Sequence, residues 1–598
     1  MSAYTPQTQD MQWLLSAVLQ APEELTQLGD FAEVDADLMA QVLEEAGKFV
    51  GDVIAPLNRT GDEIGAQWKD GAVTMPPGFK DAYQAFWQAG WPALSAAAED
   101  GGQGLPAVLE AMLYEMLSAA NHGWTMAPGL LHGAYECLKH HGSEALRGRY
   151  LEKIATGEWL ATMCLTEPHA GSDLGLARTK AEPQADGSYR ISGTKIFISG
   201  GEHDLTENIV HLVLARLPDA PPGPKGLSLF LVPKFYEDGS RSQAHCDRIE
   251  EKMGIHGSPT CVMRFDQATG WIVGEPGRGL NAMFVMMNAA RLHVALQGIG
   301  LLDAAWQKAD AYSKERRQMR APGKGKSGRT AGPPQRAPAP SGGSAAHAVA
   351  SVGAADQADL ICEHPAMRRI LDTQRAWIDG GRVLAYRTAL ELDMIKQHAD
   401  AARRDAGQRW CSFVTPVIKA AFTHQAFYGG SECLQVFGGH GYVREWGIEQ
   451  NVRDARIAMI YEGTNEIQAI DLLVRKVVPD GGAGFIDWLD SLGAELTGTA
   501  AARVQARIVS LQAHTRSLCE ATKADATLAH WVADDFLRAV ALTLMDWALA
   551  RIESAAPAEA RWAQPAQAFQ RWAMPELPMR LAIIESATQS ATRSEATH

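Results

Sequence analysis

One carboxylate, Glu462, stands in the run MIYEGTNEIQ (residues 459–468), directly before a glycine and a possible helix start. Gly463 can adopt a positive φ or let a ligand approach closely, and Thr464 can cap the helix that follows. A carboxylate in such a turn projects from a rigid frame, which suits a general base. The alternative is an acidic residue near a helix N-terminus, where the helix dipole lowers its pKa. The apolar face of the helix would contain Ile467, Ile470, Val474 and Val477.

Four further short motifs precede the Glu462 run. They are CLTEPHAGSD (164–173), FISGG (197–201), ERRQ (315–318) and QVFGGHG (435–441). Each motif alone is a weak signal, but five motifs in one order are very improbable by chance. In this order they resemble the acyl-CoA dehydrogenase family over residues 35–480. The length of the chain and its helical terminal additions resemble the subgroup that includes methylthiopropanoyl-CoA dehydrogenases.

The resemblance implies α,β-dehydrogenation of an acyl-CoA thioester. Glu462 would remove the α-proton, and its backbone N–H, with a flavin ribityl hydroxyl, would hold the thioester oxygen. Because no side chain accepts a hydride, a flavin must supply the redox step, and the family implies FAD. Some relatives carry the base on another helix, at the position of Ala290, which leaves Glu462 as the candidate here. Substrate contacts would come from Ser172, Asn288, Arg291 and Gly463.

The residues that would contact FAD are spread over all five motifs. The turn at residues 435–439 would receive the adenine half of an FAD bound mainly by the neighbouring subunit, so the family implies a homo-oligomer, most simply a dimer. Taken singly, these residues also fit a polar turn, a solvated arginine or a helix C-cap. The implied cofactor-binding residues are Met163, Leu165, Thr166, Ser172, Phe197, Ile198, Ser199, Arg316, Gln318, Gln435, Val436, Gly438, Gly439, Thr464 and Glu466.

Hydrophobic periodicity predicts an α+β multidomain protein. An N-terminal extension (1–34) precedes a helical domain (35–159), in which Asp37 is the predicted N-cap of the first long helix. A central β domain (160–280) follows, then a helical bundle (281–480) and an additional C-terminal helical domain (481–598). Within the bundle, residues 321–358 contain five prolines and no aromatic residue, which predicts a disordered insertion.

Composition limits the other function classes. The net charge of −15 over 598 residues gives no general attraction to nucleic acid. Eight cysteines without a CxxC pair suit a reducing compartment, and no metal-ligand spacing is present. The first residues do not resemble a signal peptide, and the apolar stretch 539–550 is shorter than a membrane span and contains Asp546. We therefore expect a cytoplasmic protein without a membrane span.

Several alternatives remain open at this stage. The resemblance implies electron transfer flavoprotein as the electron acceptor, whereas an acyl-CoA oxidase would share the fold and the base but reduce O₂. A dedicated methylthiopropanoyl-CoA dehydrogenase is a narrower alternative. A DNA-associated flavoprotein branch of the same fold uses a basic C-terminal region, which residues 481–598 lack. Trp531 and Trp547 would suit membrane contact by the C-terminal helices, although core packing is the favoured interpretation.

Overall fold

The computed structural model describes residues 4–322, 358–556 and 559–595. The insertion predicted at 321–358 lies almost entirely outside the described residues. The α+β organisation is confirmed, with helices on both sides of a central sheet in the order of the sequence.

The N-terminal region is helical and includes a small hairpin, β1 (Gln67–Lys69) with β2 (Ala72–Thr74). The predicted N-cap is wrong by two residues, because the side chain of Asp35, not Asp37, accepts a hydrogen bond from Leu38 N at 2.8 Å. Helix α3 therefore begins at Ala36. The helices are α1 (Thr8–Trp13), α2 (Ala21–Leu25), α3 (Ala36–Phe49), α4 (Asn58–Ile64), α5 (Phe79–Gln88), α6 (Ala107–Thr125), α7 (Leu131–His141), α8 (Glu144–Leu146) and α9 (Glu152–Ala155).

The central β domain is a seven-stranded sheet whose pairings close on themselves. The strands are β3 (Leu160–Cys164), β4 (Lys180–Pro183), β5 (Tyr189–Ser199), β6 (Ile209–Arg216), β7 (Leu227–Pro233), β8 (Ala244–Ile249) and β9 (Thr260–Val273). Strand β6 pairs with β3, β4 and β7. Strand β9 pairs with β5, β7 and β8, and β4 pairs with β5. The interior strands β6 and β7 are almost wholly buried, as expected for a sheet covered on both faces.

Three long helices form the bundle after the sheet. They are α10 (Gly279–Ser313), α11 (Pro365–Gln397) and α12 (Ala401–Val436), followed by the short helices α13 (Ile448–Arg456) and α14 (Asn465–Ile470). By length and hydropathy α10 could span a membrane, but 76% of its most apolar window is buried inside the protein, as in the core helix of a bundle. Among the described residues no other helix, including the one that contains residues 539–550, meets both criteria.

The additional C-terminal domain packs against α11 and α12. Its central helix is α18 (Ala533–Ala555), where buried Asp546 is paired with Arg503 and Arg507, which explains a carboxylate in an apolar stretch. Trp547 is buried as expected, whereas Trp531 is 81% exposed, so core packing was the wrong expectation for Trp531. The helices are α15 (Ala483–Ala494), α16 (Gly498–Ala521), α17 (Leu528–Trp531), α18 (Ala533–Ala555), α19 (Ala560–Ala568) and α20 (Glu576–Glu595).

Candidate functional site

Glu462 lies in a tight turn that leads directly into α14. Its own φ is 54° and that of Gly463 is 84°, so two consecutive residues occupy the left-handed region. A residue other than glycine rarely has φ in this region, and it keeps that conformation only where the surrounding structure fixes it. Thr464 caps α14, since its Oγ1 accepts from Ile467 N at 3.3 Å, as the sequence indicated. The turn therefore presents Glu462 from a fixed backbone.

Three buried side chains hold this turn from behind, and sequence analysis identified none of them. Lys419 on α12 donates from Nζ to the carbonyl oxygen of Gly463 at 2.7 Å and to Asn465 Oδ1 at 3.1 Å. Gln468 Nε2 donates to the carbonyl oxygen of Glu462 at 3.1 Å. The available signal was Lys419 itself, a charged residue within the otherwise apolar stretch PVIKAAF (416–422).

The electrostatic surroundings suit a base that must take up a proton. Burial raises the pKa of Glu462, while the nearby positive charges of Lys419 and Arg291 act in the opposite direction. Burial also lowers the pKa of Lys419 to about 7. Arg291 is buried and paired with Asp471 at 3.2 Å, so this predicted substrate residue lies in an ion pair beside the base.

Hydrogen bonds join the segment after β3 to the end of β5. Lys195 on β5 donates to the carbonyl oxygen of Leu165 at 3.0 Å and to Glu167 Oε1 at 2.9 Å, and the backbone N–H of the next residue donates to the carbonyl oxygen of Thr166 at 2.9 Å. These contacts bring together the motifs that contain Met163, Leu165 and Thr166 and those that contain Phe197, Ile198 and Ser199.

Phe197 projects from an irregularity in the sheet. The pairing register between β5 and β9 shifts between Lys195 and Ile198, and Phe197 has a φ of 60°. Because a bulge redirects a side chain out of the strand, the ring is 61% exposed although the next residue, Ile198, is buried. An exposed aromatic ring on a rigid strand offers a flat surface for stacking.

Residues 126–127, directly after α6, lie between the Glu462 turn and the end of β5. Tyr461, which precedes the base, donates to Gln297 Oε1 at 2.6 Å and lies 3.7 Å from Met126 Sδ. On the other side, an added Cβ at Gly200 would lie 3.2 Å from Cβ of Ala127, the residue after Met126. The base turn and the β5 strand therefore pack around the same short segment of the N-terminal domain.

A cavity of about 860 Å³ lies beside the loop that contains Ser172. The basic side chains of Arg178, Lys180 and Arg216 contribute to its wall. Arg216 donates to several backbone carbonyl oxygens, including that of Ala177 at 2.7 Å, and so fixes the shape of the wall. Ser172 is exposed in the loop between His169 and Gly175, which both line the cavity.

Arg316, Gln318 and the turn at residues 435–439 form a separate cluster on the surface. Tyr312 stacks on Phe437 with ring centroids 4.3 Å apart and hydrogen-bonds His440 Nδ1 at 2.9 Å, which joins the end of α10 to this turn. Gly438 and Gly439 have open space around them, and Gln435, Arg316 and Gln318 are exposed, whereas Val436 is buried. The cluster is accessible for a ligand or a second chain.

The remaining predicted residues lie on α14, in the turn before it and on α10. Glu466 is exposed on the first turn of α14, and Gly463 and Thr464 are half-buried. Asn288 lies on α10, but its side chain is outside the described part of the structure. Ala290 on the same helix packs partly buried against the core. Among the described residues there is no group of three or more His, Cys, Asp or Glu side chains that could hold a metal ion.

Comparisons with known proteins agree with this geometry. The models of the N-terminal, middle and C-terminal domains of acyl-CoA dehydrogenases match residues 39–158, 162–268 and 343–476. The chain belongs to the acyl-CoA dehydrogenase family. It is therefore an oxidoreductase that acts on acyl-CoA thioesters, as the motifs implied.

Two relatives show the range of substrates in the family. The chain is 42% identical to a 3-methylmercaptopropionyl-CoA dehydrogenase of Ruegeria pomeroyi, over 85% of this chain and 83% of the relative. It is 34% identical to a broad-specificity linear acyl-CoA dehydrogenase, FadE5, of Mycobacterium tuberculosis, over 81% of this chain and 77% of the relative. The resemblance to the subgroup with methylthiopropanoyl-CoA dehydrogenases is thus confirmed.

Solved structures share the whole architecture, including the C-terminal domain. ACDH-11 of Caenorhabditis elegans, in complex with C11-CoA, has a TM-score of 0.72 at 19% identity and covers 95% of this chain and 91% of its own. An acyl-CoA dehydrogenase of Bacillus anthracis, complexed with FAD, has a TM-score of 0.71 at 19% identity and covers 97% of this chain and 91% of its own. At this identity the likeness supports the fold.

Members of this family use FAD, and the predicted cofactor is confirmed. The residues present fit such a group, since the exposed ring of Phe197 can lie against a flavin. The open glycines 438 and 439 permit close approach of a nucleotide, and the exposed guanidinium of Arg316 suits a pyrophosphate. When bound, FAD supplies the acceptor for the hydride that the substrate loses.

Proposed function

We propose that this protein catalyses α,β-dehydrogenation of short to medium acyl-CoA thioesters to trans-2-enoyl-CoA, with Glu462 as the base. The observation that carries the proposal is the Glu462 turn. Lys419 and Gln468 bind the backbone carbonyl oxygens of this turn, which carries a half-buried carboxylate. The turn packs against residues 126–127, and so does the end of the strand that presents Phe197. Proton abstraction next to a thioester needs a base of this kind close to a hydride acceptor.

Each product of the reaction has a destination in this site. Glu462 takes the proton from Cα, and the hydrogen on Cβ would leave with its electron pair as a hydride to the bound flavin, so the substrate loses two hydrogens and gains a C=C bond. In the described part of the chain the backbone N–H of Glu462 donates no hydrogen bond to the protein. This N–H is therefore free to bind the thioester oxygen, where negative charge develops as the proton leaves.

The CoA part of the substrate would extend past Ser172 toward the cavity of about 860 Å³. The basic residues Arg178 and Lys180 suit the phosphates of CoA. On the acyl side, Met126 and Tyr461 lie next to the base and supply one wall. Sulfur and CH₂ are similar in size and both apolar, so such a wall discriminates between them by about 1 to 3 kcal/mol at most.

A dedicated 3-(methylthio)propanoyl-CoA dehydrogenase is the second candidate. Its support is the 42% identity to the enzyme of that name from Ruegeria pomeroyi. The 34% identity to a broad-specificity enzyme supports the wider range. We favour the wider range because no described side chain near Glu462 selects a thioether over a methylene.

Purified enzyme should be assayed for flavin bleaching and for turnover with butanoyl-CoA, octanoyl-CoA and 3-(methylthio)propanoyl-CoA. We expect all three to react, with kcat/KM values within about two orders of magnitude. Activity on the thioether alone would establish the dedicated enzyme. Activity on none of the three would refute the proposed function.

Three further features belong to this proposal. Electrons would pass to electron transfer flavoprotein, and slow reoxidation of the reduced enzyme by air would separate it from an oxidase. The protein would act in the cytoplasm. It would assemble as a dimer, because Arg316 and the turn 435–439 form one exposed cluster, flanked by Tyr442 at 88% and Met319 at 78% exposure. A ligand held by two subunits links cofactor binding to assembly.

A further inference from the structure

The amine of Lys419 is fully buried, and neither of its hydrogen-bond partners carries a charge. The residue is 0% exposed, and its hydrogen-bond partners, the carbonyl oxygen of Gly463 and Asn465 Oδ1, are both neutral. Burial of an ammonium group against neutral partners is unfavourable, because the charge loses its hydration. Accordingly, burial lowers the pKa of Lys419 to about 7. A charge retained at this cost needs an anion close by.

The charges that face Lys419 come from two other elements. Glu462 and Glu466, in and just after the base turn, favour its protonated form, whereas Arg291 on α10 opposes it. Arg291 is itself paired with Asp471 at 3.2 Å. The carboxylate of Glu462, in turn, has Lys419 and Arg291 as its neighbouring cations. Lys419 and Glu462 thus form a pair in which each charge stabilises the other without direct contact.

We propose that Lys419 is a positioning residue for Glu462: its amine fixes the Gly463–Thr464 peptide group, one residue after the base, and its charge keeps the carboxylate of Glu462 ionised. This inference rests on the proposed function, because it gives Lys419 a role only where Glu462 is the base. Lys419 does not contact the substrate in this scheme. It acts on the reaction through the orientation and the ionisation of Glu462.

The hydrogen bonds around the turn support the orienting role. The carbonyl oxygen of Gly463 accepts from Lys419 at 2.7 Å and from Gln468 at 3.4 Å, and Gln468 also binds the carbonyl oxygen of Glu462. Side chains therefore bind the carbonyl oxygens of both left-handed residues, Glu462 and Gly463. Loss of the shorter bond would let the Gly463–Thr464 peptide group rotate and so loosen the backbone next to Glu462.

A second lysine provides a matched control. Lys308 donates from Nζ to the carbonyl oxygen of Gly447 at 2.9 Å and to Asn451 Oδ1 at 2.7 Å, the same two kinds of partner that Lys419 has. Burial lowers its pKa to about 8, but Asp454 and Glu449 are the charges that face it, not Glu462. Lys308→Met removes a partly buried amine with the same two kinds of partner, at a place away from Glu462.

The test is the pH profile of flavin reduction by butanoyl-CoA in rapid-mixing experiments, with FAD-loaded wild type, Lys419→Met and Lys308→Met. An opposite charge at short range lowers the pKa of a carboxyl group by about 1 to 3. We therefore expect Lys419→Met to be at least about tenfold slower than wild type at neutral pH, with a deficit that shrinks as the pH rises. Lys308→Met should keep the wild-type profile.

Two further variants complete the design. Lys419→Arg keeps the charge and should restore the wild-type profile, and Lys419→Gln keeps a donor without charge and replaces the Met variant if that variant does not fold. A deficit that is equal at every pH would overturn the inference, and so would failure of both neutral variants to fold. The proposed function fails separately, if wild type shows no bleaching or if Glu462→Gln bleaches normally.

Discussion

Replacement of Glu462 by Gln is the most direct test of the base. The Gln side chain has the same length, and the contacts that fix the turn involve the backbone of Glu462 and the cap of Thr464, not the carboxylate. FAD content and fold should therefore persist. Loss of a general base slows the step by about 10² to 10⁴, which corresponds to about 3 to 5 kcal/mol of activation free energy.

The stability of this variant has a predicted sign as well. Burial raises the pKa of Glu462 in the folded protein, so its ionised form costs stability once the pH exceeds the pKa of the unfolded chain. Neutral Gln removes that cost, and the melting temperature at neutral pH should not fall. In wild type, flavin reduction should increase with pH through the pKa of Glu462, whereas the variant should lack this dependence.

The assay is anaerobic bleaching of the visible flavin absorbance by butanoyl-CoA. Glu520→Gln is the control, since Glu520 is an exposed carboxylate in the C-terminal domain, paired only with Lys523 in the described structure. It should bleach at the wild-type rate. Bleaching by Glu462→Gln within a factor of about ten of wild type would refute the assignment of the base.

Three other predictions concern assembly, the insertion and the first long helix. Tyr442→Asp should weaken the dimer and lower its FAD content, as measured by sedimentation with flavin absorbance. Trp531→Asp changes a similarly exposed aromatic residue outside the cluster and should have neither effect. A fully FAD-loaded, active monomer would contradict the dimer. Trimming within residues 321–358 to a short Gly/Ser linker should leave turnover intact and change the free energy of unfolding by at most about 1 to 2 kcal/mol. The reason is that a hydrogen bond of 3.1 Å from Gln318 N to the carbonyl oxygen of Asp359 already joins the two ends of the insertion. Loss of turnover would reveal a role for the insertion. Asp35→Ala should lower the free energy of unfolding by about 1 kcal/mol in chemical denaturation, because it removes the N-cap. Asp37→Ala should lower it much less. The reverse order would support Asp37 as the N-cap.

Much of the fold and the turn that presents Glu462 could be predicted because the signals are local; the role of Glu462 as the base stays a prediction. The Glu462 run contains its own turn glycine and its own helix cap, and the change from helical to alternating periodicity marks the sheet. The contacts of Lys419 could not be predicted, because its hydrogen-bond partners lie 44 and 46 residues away in the sequence and a single buried lysine gives no periodic signal. The exposure of Trp531 escaped for a similar reason, since its position on a four-residue helix depends on which neighbours cover it.

The C-terminal domain supports the turn that carries Glu462 through helix packing. Helix α14, which begins just after Glu462, packs against α12 on one side and against α18 on the other. Leu472 and Leu473, directly after α14, are 0% exposed in this arrangement. Interiors this closely packed transmit small displacements instead of absorbing them. The turn that carries Glu462 is therefore held between the bundle, through Lys419, and the additional domain, through the apolar face of the helix that follows it.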